Sequence, residues 1–330
     1  MDDNAGKIQD TLVNERLEQY DHKKKETVVK CLQSCVSWFP PGGRASLIRD
    51  ILKADSDEFL YDVYDTLMTG LLIPMKETCR QASVFASPHS KREANVDLVA
   101  STIAEPQYRS TTFRDTLLKR DDYRCVVSGH VDPDYYEQMG LPEDVLNSDL
   151  EGAHIIPFSY ASWRGEGVPD DAPKVWEVLF RCFPEVRGST LEVDTINSPE
   201  NGLTLTVNLH RAFGRFKIAF KATGIKDQYE IKSYKRLNSV ELSMIPKNRL
   251  VTFRQAEGHK DIPLPNPILL DCHYRIAEIL DASGLREVIE RSLDYWDQIR
   301  RDPQAGQLRE DGSTHLTNYL EAAFWWDVGT

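Results

Sequence analysis

The chain has 330 residues, room for about two domains, and its 41% hydrophobic and 28% charged residues have the balance of a folded globular protein. No apolar run approaches the ~18–20 residues that span a bilayer, and the N-terminus lacks the basic stretch and apolar core of a secretory signal. An intracellular protein, nuclear or cytoplasmic and without a membrane partner, is therefore expected. A net charge of −12 argues against indiscriminate binding to polyanions, since phosphate backbones are held mainly by Lys and Arg.

The first hundred residues read as helical. Val28, Val29, Leu32 and Val36 recur at helical spacing and run into a stop at "WFPPGG". "RASLIRDILKA" and "DEFLYDVYDTLMTGLLIPM" give two further amphipathic segments, with Asp55 or Ser56 as N-cap of the second. The polar stretch "SPHSKREAN" from Ser87 is the linker candidate. Cys31 and Cys35, four apart, fall on one helix face as buried thiols. No cysteine pair has the C-x-x-C spacing of a zinc knuckle.

The character changes near Ser110. "TTFRDTLLKRDDYRC" reads as a short helix with Phe113, Leu117 and Leu118 on one side, and "RCVVSG" as a strand or turn. "HIIPF", from His154, suits a buried strand. A long insertion with one helix, "KVWEVLFRCF", precedes the strand "GLTLT" and the helix "VNLHRAF", for which Asn208 is a possible cap. "RFKIAFKA" and "QYEIKSY" form a hairpin around "GIKD". The strand "RLVTFR", a proline-rich connector and helices through "LREVIERSLDYWDQIRR" and "HLTNYLEAAFWWDV" complete the chain, with Phe324, Trp325 and Trp326 expected to dock on the core.

Three polar residues stand out in this order: His154 at a strand end, Asn201 opening the next strand and His210 in the first turn of the helix that follows. A β-β-α unit can gather such residues around one point. Hydrolysis of a phosphodiester needs a base for water, a cation on the phosphate and stabilisation of the leaving oxygen. Histidine, with a pKa of ~6.5, is largely neutral near pH 7 and suits the first task. A divalent ion supplies the other two. Asn201 cannot take up a proton, so it holds the loop backbone or orients His154. As bland alternatives, His154 is a core histidine, "ENG" an ordinary turn, and His210 a packing residue. Residues 207–226 carry Arg211, Arg215, Lys217, Lys221 and Lys226 without an acid, which is either a basic contact face or a solvated helix.

The motifs Cys125-Val-Val-Ser128-Gly129, Ala153-His154-Ile155-Ile156-Pro157, Asn201-Gly202-Leu203-Thr204-Leu205 and Leu209-His210-Arg211-Ala212-Phe213 together resemble the HNH (His-Me finger) endonucleases, closest to a subgroup common in fungal proteins. The resemblance covers about a third of the chain, from near Phe113 to Phe220. It implies an α+β fold: a central ββα-metal unit with an extra β-hairpin in residues 105–235, a helical region in 1–104, and a strand plus helices packing on the unit in 236–330. By the same resemblance His154 is the general base, Asn201 the orienting residue and His210 a ligand to one divalent ion: Mg²⁺ first, with Mn²⁺, Ni²⁺ or Zn²⁺ as alternatives. Arg211, Arg215, Lys217 and Lys221 would then contact phosphates of nucleic acid, DNA before RNA.

The chain departs from the family pattern at Ala153 and Gly214, where relatives often place metal ligands. Asp194, Glu200 and Glu151 are the acids nearby, Asp194 being the candidate second ligand. At Cys125, Ser128 replaces the partner cysteine of a zinc pair, so the thiol is expected to be buried and metal-free. The alternative function is a weak or inactive HNH-fold module that binds nucleic acid or protein. The acidic helical flanks would also suit a protein partner or a cover for the site.

Overall fold

A computed structural model describes residues 2–76, 91–101, 103, 107, 111–162, 170–234 and 237–291. The closing aromatic helix, with Phe324 to Trp326, and the linker residues 87–90 lie outside these. In chain order the helices are α1 (Asp2–Glu18), α2 (Lys25–Trp38), α3 (Pro41–Lys53), α4 (Asp57–Leu67), α5 (Lys91–Ala100), α6 (Thr111–Arg120), α7 (Pro133–Gln138), α8 (Asp171–Cys182), α9 (Pro184–Arg187), α10 (Val207–Gly214), α11 (Ser239–Ser243) and α12 (Pro267–Ser283). The strands are β1 (Leu150–His154), β2 (Gly202–Thr206), β3 (Ile218–Ala222), β4 (Gln228–Ser233) and β5 (Leu250–Thr252). The protein thus mixes helices with two small antiparallel sheets. No helix among the described residues is long and apolar enough to cross a membrane.

Contacts divide the chain into two compact units, and neither is continuous in sequence. One comprises Met1–Thr102, Pro169–Cys182 and Ile279–Thr330; the other comprises Ile103–Val168 and Phe183–Glu278. This differs from three consecutive regions because α8, inside the long insertion, supplies a wall of the first unit.

In the first unit α2 buries Val28, Cys31, Leu32, Cys35 and Val36, the stripe expected of a 3.6-residue period. The "PPGG" stop is also a start: Pro40 is the N-cap of α3 and Pro41 its first residue, where a missing N–H costs nothing. A Cβ on Gly43 would lie 1.9 Å from the Cys182 carbonyl oxygen, so only glycine lets α3 approach α8 this closely. Ser56 caps α4, its Oγ accepting the Phe59 N–H at 3.1 Å. After Leu67 the helix widens into a π turn, Met68–Leu72. Lys91–Ala100, part of which reads as linker in the sequence, is helical.

A buried network of ion pairs links α3, α5 and α8. Arg92 donates to both carboxylate oxygens of Asp50 at 3.0 and 2.9 Å, and Arg181 donates to Glu177 at 3.2 Å and to Asp50 at 3.4 Å. Cys31, Cys35 and Cys182 are buried and free. Burial raises the Cys35 thiol well above its usual range and pushes Cys182 up to about 12, so neither thiol is a nucleophile at neutral pH.

Asp65 in α4 is 1% exposed, and its Oδ1 has no hydrogen-bond partner among the described residues. Burial raises its pKa to about 6, the Lys24 charge opposing this only in part. The folded chain therefore holds this proton up to about pH 6, whereas an unfolded one releases it near the ordinary value of ~3.9. Stability falls as pH rises through that window and the full penalty is present above it. Asp65→Asn is expected to stabilise the protein by about 1–3 kcal/mol at pH 7.5. Thermal melts should show the gain shrinking as pH falls from 6 to 4.

In the second unit β1 pairs antiparallel with β2 in the register Leu150↔Thr206 to His154↔Gly202, and α10 follows β2 without a loop. The cap of α10 is Thr206, whose Oγ1 accepts the Leu209 N–H at 3.4 Å, and not Asn208. β3, β4 and β5 form a second antiparallel sheet, so the expected hairpin gains a third strand from "RLVTFR". The turn after α10 carries Phe216 at φ 56°, a conformation usually left to glycine. His273 of α12 holds that turn: its ring stacks on Phe213 at 3.8 Å and Phe216 at 4.4 Å. Its Nε2 lies 3.2 Å from the Phe213 carbonyl. Burial pushes the His273 pKa down to about 3, so it stays neutral and structural.

Candidate active site

The expected strand "HIIPF" is displaced. β1 ends at His154 instead of beginning there, and the reason lies in the amides that follow. The Ile155 N–H donates to the Asn201 carbonyl at 2.9 Å, the Ile156 N–H to Asn201 Oδ1 at 2.8 Å, and Pro157 has no N–H. With those donors taken, the apolar run leaves the ladder and is buried in irregular form.

Asn201 is 0% exposed. Besides accepting from Ile156, its Nδ2 donates to the carbonyls of Ile156 and Ile196, each at 3.0 Å. It therefore fastens the segment after His154 to the turn before β2, which is the backbone-holding role. Gly202 is not a turn glycine, since its φ of −140° is extended. What position 202 requires is space: a Cβ would lie 2.7 Å from Leu117 Cδ1 and 2.7 Å from Phe113 Cζ on α6.

That close approach fixes the surroundings of His154. Its imidazole stacks on Phe113 with centroids 4.1 Å apart and planes 14° apart, and Phe158 lies tilted at 5.5 Å. His154 Nε2 is 3.1 Å from Asn197 Oδ1. Asn197 carries no family signal in the sequence. Its neighbour Ile196 is one of the carbonyls Asn201 holds, so its position follows from that of Asn201. α6 is tied down in turn by Arg114, which donates to the Leu150 carbonyl at 2.9 Å and to buried Asp132 at 2.7 Å.

His210 occupies the first turn of α10 and is half-buried. Its Nδ1 is 2.6 Å from Glu151 Oε2. A carboxylate only accepts, so Nδ1 carries the proton and, in the neutral ring, Nε2 carries the lone pair. This is the arrangement by which protein imidazoles are oriented toward metals. The pair offers one imidazole nitrogen to a divalent ion, whose remaining ligands would have to be waters and substrate oxygens.

Residues two apart on a strand share a face. Glu151 and Ala153 therefore face α10 and His210, whereas Gly152 and His154 face α6. Ala153 is fully buried, and Glu151 sets a carboxylate on that same face one strand repeat earlier. The structure thus brings together His210 with Glu151, and His154 with Asn197 and Phe113. Asp194 is exposed, on the turn that carries Asn197. Among the described residues no group of three or more His, Cys, Asp or Glu side chains converges to hold a metal.

Arg211, Arg215 and Lys221 are exposed, while Lys217 is half-buried and lies 3.8 Å from Glu241. Cys125 is buried and free, with its sulfur accepting the Ser128 N–H at 3.4 Å.

Residues 125–221 match the HNH endonuclease family. The match runs from the Cys125 turn through the β1–β2 ribbon and α10 into β3. Neither the curated proteins nor the solved structures gave a match to the chain.

Proposed function

We propose that the chain is a metal-dependent endonuclease of the HNH type, in which β1, β2 and α10 form the ββα-metal unit, acting on DNA before RNA. The observation that supports this most is the Nδ1 bond of His210 to Glu151, which turns an imidazole on α10 into an oriented ligand beside the ribbon whose end carries His154. His210, with Glu151 behind it, would hold one divalent ion, Mg²⁺ first. Such an ion supplies Lewis-acid charge to the scissile phosphate and the leaving oxygen.

His154 takes a proton from the attacking water, a step worth about 10²–10⁴-fold. In-line displacement puts the attacking and leaving oxygens on opposite sides of phosphorus. A base and a ligand on opposite faces of one strand are compatible with that demand. Arg211, Arg215 and Lys221 offer exposed charge to flanking phosphates, and Lys217 contributes less because Glu241 offsets it. Desolvation is modest for exposed side chains of this kind, so their contacts should weaken as salt rises.

A second reading, a binding module without turnover, is favoured by the lack of a three-donor metal set among the described residues and by alanine at position 153. A plasmid cleavage assay with Mg²⁺, Mn²⁺, Ni²⁺ or Zn²⁺ separates the two. His154→Ala is expected to cut about 10²–10⁴-fold more slowly than wild type. Glu151→Gln should need about 10–100-fold more metal, and His210→Ala more still. Wild-type protein that cleaves neither DNA nor RNA with any of these ions, but shifts DNA in a gel, would establish the module instead.

A further inference from the structure

We infer that Asn197 is a positioning residue for His154, fixing which ring nitrogen faces the water; the inference deepens the endonuclease reading and rests on it for the identity of the base. The imidazole has Phe113 stacked at 4.1 Å, Phe158 tilted at 5.5 Å, and Asn197 Oδ1 at 3.1 Å from Nε2. The two phenyl rings restrict the plane of the imidazole but do not distinguish one ring nitrogen from the other. The amide contact does so.

With Oδ1 toward the ring, Nε2 donates and the neutral imidazole keeps its lone pair on Nδ1. A base must pass between neutral and protonated forms, and Nε2 is a donor in both. An amide oxygen therefore serves the ring throughout the cycle, whereas an amide nitrogen there would have to flip at each protonation. The amide is held in place from the backbone: Asn201 Nδ2 binds the Ile196 carbonyl next to it at 3.0 Å, and the Ser198 N–H donates to the Thr195 carbonyl at 2.7 Å. The two asparagines thus divide the labour. Asn201 builds the turn, and Asn197, presented by the turn, touches the imidazole.

The test uses the full chain with ¹⁵N-labelled histidine, the His154 signals being identified by their loss in His154→Gln. Wild-type protein is expected to show the Nε2–H tautomer, Asn197→Leu a mixture of tautomers, and Asn197→Asp the wild-type pattern. In plasmid cleavage with Mg²⁺, Asn197→Leu should lower kcat about 10–100-fold, part of what a general base contributes. KM should be unchanged, and Asn197→Asp should recover most of the rate. Asn197→Ala serves in place of the leucine variant if the latter does not melt like wild type. An Nδ1–H tautomer in wild type, or leucine and alanine variants with wild-type tautomer and kcat, would overturn the inference. A chain that cleaves nothing yet shows the expected tautomers would refute the endonuclease reading while upholding the hold of Asn197 on the ring.

Discussion

Arg120→Leu is expected to destabilise the protein by about 3–5 kcal/mol, the cost of breaking a buried ion pair from one side, and to lower Tm by about 6–20 °C. Arg120 is fully buried at the end of α6. It donates to both oxygens of Asp121, at 2.7 and 2.8 Å, and to the carbonyls of Pro199 at 2.8 Å, Gly202 at 3.0 Å and Pro263 at 3.3 Å. One side chain thus grips both ends of the segment that contains Asn201. Leucine would leave the Asp121 carboxylate uncompensated and orphan these carbonyls. Arg120→Lys keeps the charge but not the fork and should fall between leucine and wild type. Removing both charges, as Arg120→Leu with Asp121→Leu, should recover part of the loss, because no buried ion is then left alone. Equal Tm values for the single and double variants would locate the loss in the carbonyl contacts instead.

Gly202→Ala should cost about 1–3 kcal/mol, the range for overpacking a filled site, and should cost cleavage more than stability suggests. The added methyl would meet Leu117 and the ring of Phe113 at 2.7 Å, and Phe113 is the ring on which His154 is stacked. Moving one ring moves the other. A second change, Phe113→Leu, makes room for the methyl group. In that background Gly202→Ala should cost less Tm than it does in wild type, the Leu117 contact remaining, but should not recover the cleavage rate, since the face under the imidazole is gone. Melting and plasmid nicking on the four proteins check both halves. Recovery of the full rate by the double variant would show that the stack plays no part.

Legibility varied with how local the determinants were. "GLTLT" is β2 to the residue, and His210 sits in the first helical turn, because alternation and a short amphipathic helix are local signals. "HIIPF" misleads because strand-forming residues do not pair when their amides are already taken, here by Asn201 some 45 positions away. Asn197 could not be singled out from "INSPEN": its role depends on a turn closed by Asn201 and Arg120. Glu151 was one of three nearby acids, and its place beside His210 follows from the strand register, which is not a local signal. The division into two units was equally hidden, since α8 reads as a helix without indicating that Arg181 finds Asp50, 131 positions earlier.

That last feature bears on how the chain is made. The first unit contains residues up to 102, but also α8, so a nascent chain that has delivered α1 to α5 still lacks the helix that covers α3. Until residue 182 leaves the ribosome, Asp50 and Arg92 have neither Arg181 nor Glu177 beside them, and the notch at Gly43 has nothing to receive. The β1 strand is synthesised in that interval, before its partner β2. Both units are then incomplete at once, since the first still lacks Ile279–Thr330 and the second the stretch up to Glu278. An interruption of synthesis in that interval would release a chain with two open cores, a natural client for chaperones and proteases.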